Sequence, residues 1–380
     1  MVTEILRGRL VLDDEVVPGR LTLEDGFIRA VDPDPADAVA SSGPVYAPGF
    51  IDVHVHGWGG HDATGGADAL SGMARALLRQ GVTSFLPTSP SLSEAELPQF
   101  AAGVRDWIPV APGDGAEPLG FNLEGPFLAP ARKGAHDPAL LRQPAQFTDD
   151  QISALLDGLR IMTIAPELRG SLELTRRLAG LGIVASMGHS AATLEEARAG
   201  YDAGGRTTTH LFNAMTGVDH RLPGLAVAAL TDDRAFVELI ADGHHVHPAL
   251  WPIIARTKPA NRVVLVSDAL PLAGVGDGRV TIGGLEVEVV RGRATLAGTE
   301  TLAGSTIALD SAVRNLVREG QPLARAVAAA SGNPAELLGA GDRGRLDVGR
   351  RAHVVELDDD LRVRRVTRGE GWIEGAAARS

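Results

Sequence analysis

The 380-residue chain contains no cysteine, which excludes disulfides, thiolate metal ligands and a cysteine nucleophile. Lysine is nearly missing as well: Lys133 and Lys258 are the only two, and arginine supplies the rest of the positive charge. No stretch of about 18 consecutive apolar residues occurs, so no segment reads as a membrane span. The opening MVTEILRGRL lacks the basic-then-apolar layout of a secretory signal, which points to the cytoplasm. A basic face is also lacking. The formal net charge of −12 argues against a nucleic-acid partner.

What is present is a soluble, core-forming composition: 44% hydrophobic residues with a mean hydropathy of +0.04. The length fits a (β/α)8 barrel of about 250 residues with a smaller companion. Both ends of the chain alternate apolar and polar residues with Asp-Asp and Asp-Gly turns, as in EILRGRLVLDDEVV, GRLTLEDGFIRAV and the later GRLDVGRRAHVVELDDDLRVRRVTRG. The economical expectation is a small β-sandwich built from residues 1–47 and 346–380, with a hydrolase barrel inserted at 48–345.

The middle alternates strand and helix. Eight candidate strands are YAPGFIDVHVH, TSFLPT, FNLEGP, RIMTIAPE, IVASMGHS, RTTTHLFN, FVELIADG and VVLVSDA, with amphipathic stretches such as ADALSGMARALLRQG and TLEEARAGYDAG between them. Strands this apolar suit burial on both faces. A doubly wound sheet is the rival architecture, but eight units and the polar pattern favour the closed barrel. The later segment GRVTIGGLEVEVVRGRATLAG reads as a β-hairpin insertion.

Polar residues fall at one place in each unit. His54 and His56 close the first strand, Glu124 the third, Glu167 the fourth, His189 the fifth and His210 the sixth; Asp242 and His245 follow the seventh, and Asp268 closes the eighth. In a barrel these ends open onto one mouth, where the active sites of this fold sit. Core packing does not call for so many metal-capable side chains on apolar strands. Residues two apart on a strand share a face, so His54 and His56 present two imidazoles together. Imidazoles and carboxylates without thiolates suit zinc, iron(II), manganese or cobalt. With Asp268 as a carboxylate base, the set has the parts of a metallohydrolase.

APGFIDVHVHG resembles the first-strand motif of the amidohydrolase superfamily. The ordered series LEGPF, KGAH, MGHS, HLFNAM, DGHHV, SDA and LAGST, with that first motif spanning about residues 47 to 306, resembles the N-acetylglucosamine-6-phosphate deacetylases. The resemblance implies a catalytic metal held by Glu124, His189 and His210, and a second one at His54 and His56 where both histidines are kept. It implies Asp268 as a metal-site residue and general base, and His245 as the group that polarises the acetamide carbonyl. It places His136, the backbone at Asn213 and Ala214, Arg221 and His245 around the sugar phosphate, and it implies a homodimer. Zinc is the expected ion, one or two per subunit. The fourth strand has no lysine, so a carboxylated-lysine bridge like that of dihydroorotase or urease is excluded, and Glu124 would be the bridge. Glu167 and Asp242 are given no catalytic role. The alternative activities are N-acetylgalactosamine 6-phosphate deacetylation and N-acyl-D-amino acid deacylation.

Overall fold

The computed structural model describes residues 3–376; the two residues before and the four after lie outside the described residues, including the ends of the 1–47 and 346–380 segments. The two chain ends meet in one seven-stranded sheet. Strands β1 (Thr3–Val11), β2 (Val16–Glu24), β3 (Phe27–Pro33) and β4 (Val45–Pro48) join β16 (His353–Leu357), β17 (Val363–Arg368) and β18 (Trp372–Glu374) in the order β18-β17-β16-β4-β1-β2-β3. The alternation read in the sequence is the reason: in β1 and β2, Leu6, Leu10, Leu21 and Leu23 turn to one buried face and meet Ile28 and Val354. The strand of YAPGFIDVHVH is split: Val45–Pro48 pairs with the small sheet, and the chain crosses to the barrel at Gly49, whose N–H donates to the His353 carbonyl (2.9 Å).

The barrel strands are β5 (Phe50–Val55), β6 (Val82–Ser89), β7 (Phe121–Leu123), β8 (Leu159–Ile164), β9 (Val184–Met187), β10 (Thr207–Thr208), β11 (Val237–Leu239) and β12 (Val263–Leu265). The first six form one parallel series and the last two a parallel pair. Backbone hydrogen bonds close both seams. Leu211 N donates to Glu238 O (2.8 Å) on one side, and Asp268 N donates to His54 O with His56 N donating to Ala269 O (both 2.9 Å) on the other. Closure leaves no free edge, and each strand is covered inside and out, which is why the barrel strands carry unbroken apolar runs.

Amphipathic helices form the outer layer, including α1 (Gly66–Leu78), α2 (Glu96–Trp107), α3 (Asp149–Leu156), α4 (Ser171–Gly180), α5 (Leu194–Asp202) and α6 (Leu225–Thr231). Thr148 with Gln151, and Thr193 with Glu196, close capping boxes at the starts of α3 and α5. Buried Leu70, Met73 and Leu77 on α1 repeat at helical spacing against the strands. The expected hairpin insertion is a three-stranded antiparallel sheet, β13 (Gly278–Ile282), β14 (Leu285–Val290) and β15 (Arg293–Leu296), with its own small apolar cluster around Leu270, Val287 and Ala303. Among the described residues, no helix is long and apolar enough to cross a membrane.

Candidate metal centre and its cavity

The polar residues named from the sequence come together at the carboxyl ends of the barrel strands. His54 lies within β5, but His56, Glu124, His189, His210 and Asp268 all stand beyond the last strand residue. Three of them have left-handed backbones: His189 (φ 45°), His210 (φ 28°) and Asp268 (φ 51°). Such conformations cost on the order of 1–3 kcal/mol for a residue with a Cβ, and persist where the surroundings hold them. Here the holding is visible at Asp268, whose N–H donates to His54 O (2.9 Å) and whose carbonyl accepts from Ser305 N (2.7 Å).

Glu124 is the hub. Its Oε1 lies 2.8 Å from His210 Nε2 and 3.0 Å from His189 Nε2, and its Oε2 lies 3.1 Å from His56 Nε2 and 3.5 Å from His54 Nε2. Asp268 Oδ1 sits 3.2 Å from His56 Nε2 and 3.5 Å from His54 Nε2. One metal-capable group therefore joins His54, His56, Glu124 and Asp268, and Glu124 reaches across to the other histidines. All these side chains are buried.

The outer nitrogens decide what the inner ones can do. His54 Nδ1 donates to Glu238 Oε2 (3.1 Å), His56 Nδ1 to the Thr88 carbonyl (3.1 Å) and His189 Nδ1 to the Arg132 carbonyl (2.9 Å). Each partner only accepts, so in the neutral rings Nδ1 carries the proton and Nε2 presents a lone pair. Those lone pairs converge: the two Nε2 atoms of His54 and His56 are 3.3 Å apart, and those of His189 and His210 are 3.1 Å apart. Lone pairs at such distances repel unless positive charge sits among them. The donor set thus fits a divalent cation of the N/O-binding class.

The electrostatics of the protein groups alone point the same way. Burial opposes charge on Glu124, yet His54 and the hydrogen bonds from His136, His189 and His210 hold its carboxyl well below the usual range. Burial likewise opposes charge on Asp268, but His56 and His54 bring it down to about 2. His56 is pushed up to about 9, its burial overcome by Asp268 and Glu124, and His54 is raised well above its ordinary value against the same burial by Glu124 and Glu238. Burial drives His189 down to about 4. The carboxylates attract cationic charge, and the convergent histidines are where it would lie.

His136 behaves differently. Its Nδ1 accepts from Ser91 N (3.1 Å), so the neutral ring carries its proton on Nε2, which lies 3.4 Å from Glu124 Oε2. It is close enough to be grouped with Glu124 and His189, but it faces the cluster as a donor rather than a ligand. His245 Nδ1 donates to Asp242 Oδ2 (2.7 Å), and Asp242 Oδ1 accepts from the His245 and His244 backbones. Burial pushes the Asp242 carboxyl up, but these contacts leave it below its ordinary value. Glu167 accepts from Ser190 Oγ (2.8 Å) and Ala191 N (2.6 Å), fixing the loop that follows His189. Asp242 thus fixes the His245 ring, and Glu167 the backbone beyond His189.

A cavity of about 640 Å³ opens above the cluster. Its floor holds His56, Glu124, His189, His210 and Asp268, and its walls hold Lys133, His136, Asn213, Ala214 and His245. The insertion adds Ile282 and Val287, with residues 300–304 beside them, so one wall is apolar. Arg221 and His220 are not among the lining residues. They lie exposed on the loop after Thr216, where Asp219 Oδ1 accepts from the Arg221 and Leu222 backbones.

Two site carboxylates were not named from the sequence. Glu238, wholly buried within FVELIADG, accepts from both His54 Nδ1 and His210 N (3.2 Å). Asp52, two residues before His54, accepts from His54 N and Ser267 N (both 3.3 Å), and burial pushes its carboxyl up to about 6. The available signal was an acid in the middle of an apolar strand run.

Comparison with known proteins agrees with this geometry. The model of the amidohydrolase family matches residues 45–370. The N-acetylgalactosamine-6-phosphate deacetylase of Escherichia coli O157:H7 is 40% identical over 387 aligned positions, covering 99% of this chain and 100% of that protein. The N-acetylglucosamine-6-phosphate deacetylase of Bos taurus is 42% identical, covering 94% of this chain and 88% of its own. The structure of a mutant N-acetyl-D-glucosamine-6-phosphate deacetylase from Mycobacterium smegmatis, in complex with N-acetyl-D-glucosamine-6-phosphate, matches with a TM-score of 0.91 at 36% identity, covering 98% of this chain and 99% of that one.

Proposed function

The chain belongs to the amidohydrolase family, among its N-acetylglucosamine-6-phosphate deacetylases, and on that premise we propose that it hydrolyses the acetamide of N-acetyl-D-glucosamine 6-phosphate to D-glucosamine 6-phosphate and acetate. The observation that carries the reading is the convergence of imidazole lone pairs, Glu124 and Asp268 at the floor of the cavity. A non-catalytic sugar-phosphate sensor on the same barrel would be expected to have lost the base or the ligands, and all of them are in place.

Glu124, His189 and His210 would hold one divalent ion, and His54 and His56, with Asp268 beside them, a second. When bound, such an ion polarises a carbonyl and acidifies water to a pKa of roughly 7. Asp268 then takes the proton of the attacking water on Oδ1 or Oδ2 and delivers it to the departing amine nitrogen. His245 donates from Nε2 to the oxygen of the former carbonyl as negative charge develops there. Its Nδ1 proton is already engaged by Asp242, so the proton donated to that oxygen is one carried on Nε2. His136 and the backbone at Asn213 and Ala214 line the cavity where the sugar would be oriented.

Arg221 suits the phosphate by its bidentate geometry. Its place outside its own subunit's cavity, on an exposed loop with apolar Val218 and Leu222, supports service to a neighbouring copy in a homodimer. The reading takes zinc as the ion, with iron, manganese or cobalt accepted by the same donors, and the cytoplasm as the compartment. The relative from Escherichia coli acts, by its name, on the galactose epimer, so both sugars belong in the assay.

The test is acetate release from N-acetylglucosamine 6-phosphate and N-acetylgalactosamine 6-phosphate, before and after chelation with metal add-back, alongside Asp268→Asn. Metal-dependent release from the glucose epimer, lost in the variant, is the expected outcome. A folded, metal-loaded protein that releases acetate only from the galactose epimer, or from neither sugar, would overturn the substrate assignment.

A further inference from the structure

Glu238 does not line the cavity described above and has no place in the reaction sequence, yet it touches a metal-site imidazole through its side chain. It projects from the middle of β11, is wholly buried, and sits behind His54 on the side away from the cavity. A single oxygen, Oε2, receives both the His54 Nδ1 proton (3.1 Å) and the His210 backbone N–H (3.2 Å). The other oxygen, Oε1, has no hydrogen-bond partner. A carboxylate buried half-satisfied is expensive and asks for a reason.

The two partners of Oε2 come from different parts of the metal centre. His54 stands with His56 on β5, and His210 stands with His189 and Glu124. Among the described residues, His54 is the only histidine of the cluster whose outer nitrogen donates to a carboxylate; His56 and His189 donate to carbonyls, and His210 Nδ1 has no partner. A carboxylate behind an imidazole does two things that a carbonyl does less well. It locks the proton on Nδ1, so that Nε2 stays a lone pair, and it raises the basicity of that lone pair.

We propose that Glu238 is the positioning residue that makes His54 and His56 a metal site in their own right, and so sets whether a subunit takes one ion or two. The Glu124, His189 and His210 site has its own tautomer lock at His189 through the Arg132 carbonyl, and Glu238 reaches it only through the backbone N–H of His210, not through a ligating ring. The inference rests on the metal-site reading but not on any substrate, because counting ions needs no turnover.

The experiment compares wild type, Glu238→Gln and Glu238→Leu. Each is stripped by chelation and titrated with zinc by calorimetry, with elemental analysis of metal per subunit after dialysis against a fixed free zinc concentration. Wild type is expected to show two binding events. Gln can keep both hydrogen bonds through its carbonyl oxygen but loses the charge, and should weaken one event about 10-fold; Leu loses the acceptor and should weaken that event about 100-fold, the range usual for outer-shell partners. The stronger event should remain within about threefold in both. A role in packing alone predicts unchanged zinc binding in the Gln variant. Two undiminished events in either variant, or equal weakening of both events, would overturn the proposal.

Should the variants fail to fold, wild-type protein answers the same question. Long-range nitrogen–proton NMR spectra of labelled imidazoles should show His54 protonated on Nδ1 and bare on Nε2 in the zinc-loaded protein. A His54 ring that keeps its proton on Nε2 with zinc in excess would sink the proposal.

Discussion

The two ends of the barrel both bury histidine among acids, and they do so to opposite ends. At the base, where β17 of the small sheet meets β6, Arg343 is buried between Glu117 (3.0 Å) and Asp342 (2.8 Å), and donates to Ser84 Oγ (3.0 Å). Arg351 also pairs with Asp342 (2.8 Å) and Arg368 stands 3.8 Å from Glu117. The acids there are neutralised by fixed guanidinium groups. The histidine in their midst, His353, is buried with no hydrogen bond on either ring nitrogen, and burial together with the three arginines pushes it down to about 3. At the mouth the acids have imidazoles instead of arginines around them, the lone pairs converge, and a cavity opens above. Perturbed histidines at both ends show that a shifted pKa is not by itself a functional signature. What separates the two is whether the cationic charge is built in or must be supplied.

The largest effect that would sharpen this contrast is expected from Glu124→Ala. The hub of the mouth is removed, zinc content should fall, and acetate release should drop at least about 10³-fold, since a metal ion contributes several kcal/mol to such a reaction. Thermal unfolding of the chelated protein should come at lower temperature as well, because the buried imidazoles lose the carboxylate that pairs with them. A variant with full metal and wild-type rate would break the comparison from the functional side. Next comes Arg343→Met at the base. Removing one partner of a buried pair usually costs about 3–5 kcal/mol. Denaturant unfolding should register that loss, while the rate per folded, metal-loaded molecule stays at the wild-type level.

His245→Asn should lower kcat by about 10²–10³, the range for a lost oxyanion donor, with metal content intact. Equal loss in kcat and metal would reassign His245 to the ligand set. The smallest effect concerns His353. Its folded pKa lies below its unfolded value of about 6.5, so its contribution to stability is whole above that pH and is lost as pH falls towards about 3. One proton gives a slope of up to about 1.4 kcal/mol per pH unit. His353→Leu should remove that component from unfolding curves taken between pH 7 and 5, and identical slopes in variant and wild type would refute the assignment.

Much of the mouth was legible before any coordinates. The spacing of His54 and His56 obliges them to share a face, and the recurrence of one acid or histidine after each apolar run marks the strand ends that share a rim. The strands themselves proved shorter than their apolar runs, down to two residues at β10, because the chain leaves the ladder early to turn its ligands inward through left-handed backbones. That departure has no signature in a hydropathy pattern, since hydropathy follows burial and not the backbone angle. The small sheet was likewise readable as alternating strands from both ends. Its order was not, because alternation specifies which face is buried but not which strand lies beside which.

By itself, then, the amino-acid order determined the barrel, the thiol-free donor set, the absence of a lysine bridge on the fourth strand and the candidates for base and ligands. Those follow from local chemistry: residue type, periodicity and position at a strand end. Only the closed tertiary structure decided which acids stand behind which imidazoles. Glu238 meets His54 across 184 residues and Asp268 meets it across the closing seam, while Arg221 stays outside its own cavity. Such contacts depend on where the barrel closes and on how far each loop carries its side chain. Those are properties of the whole ring of strands and of no single segment.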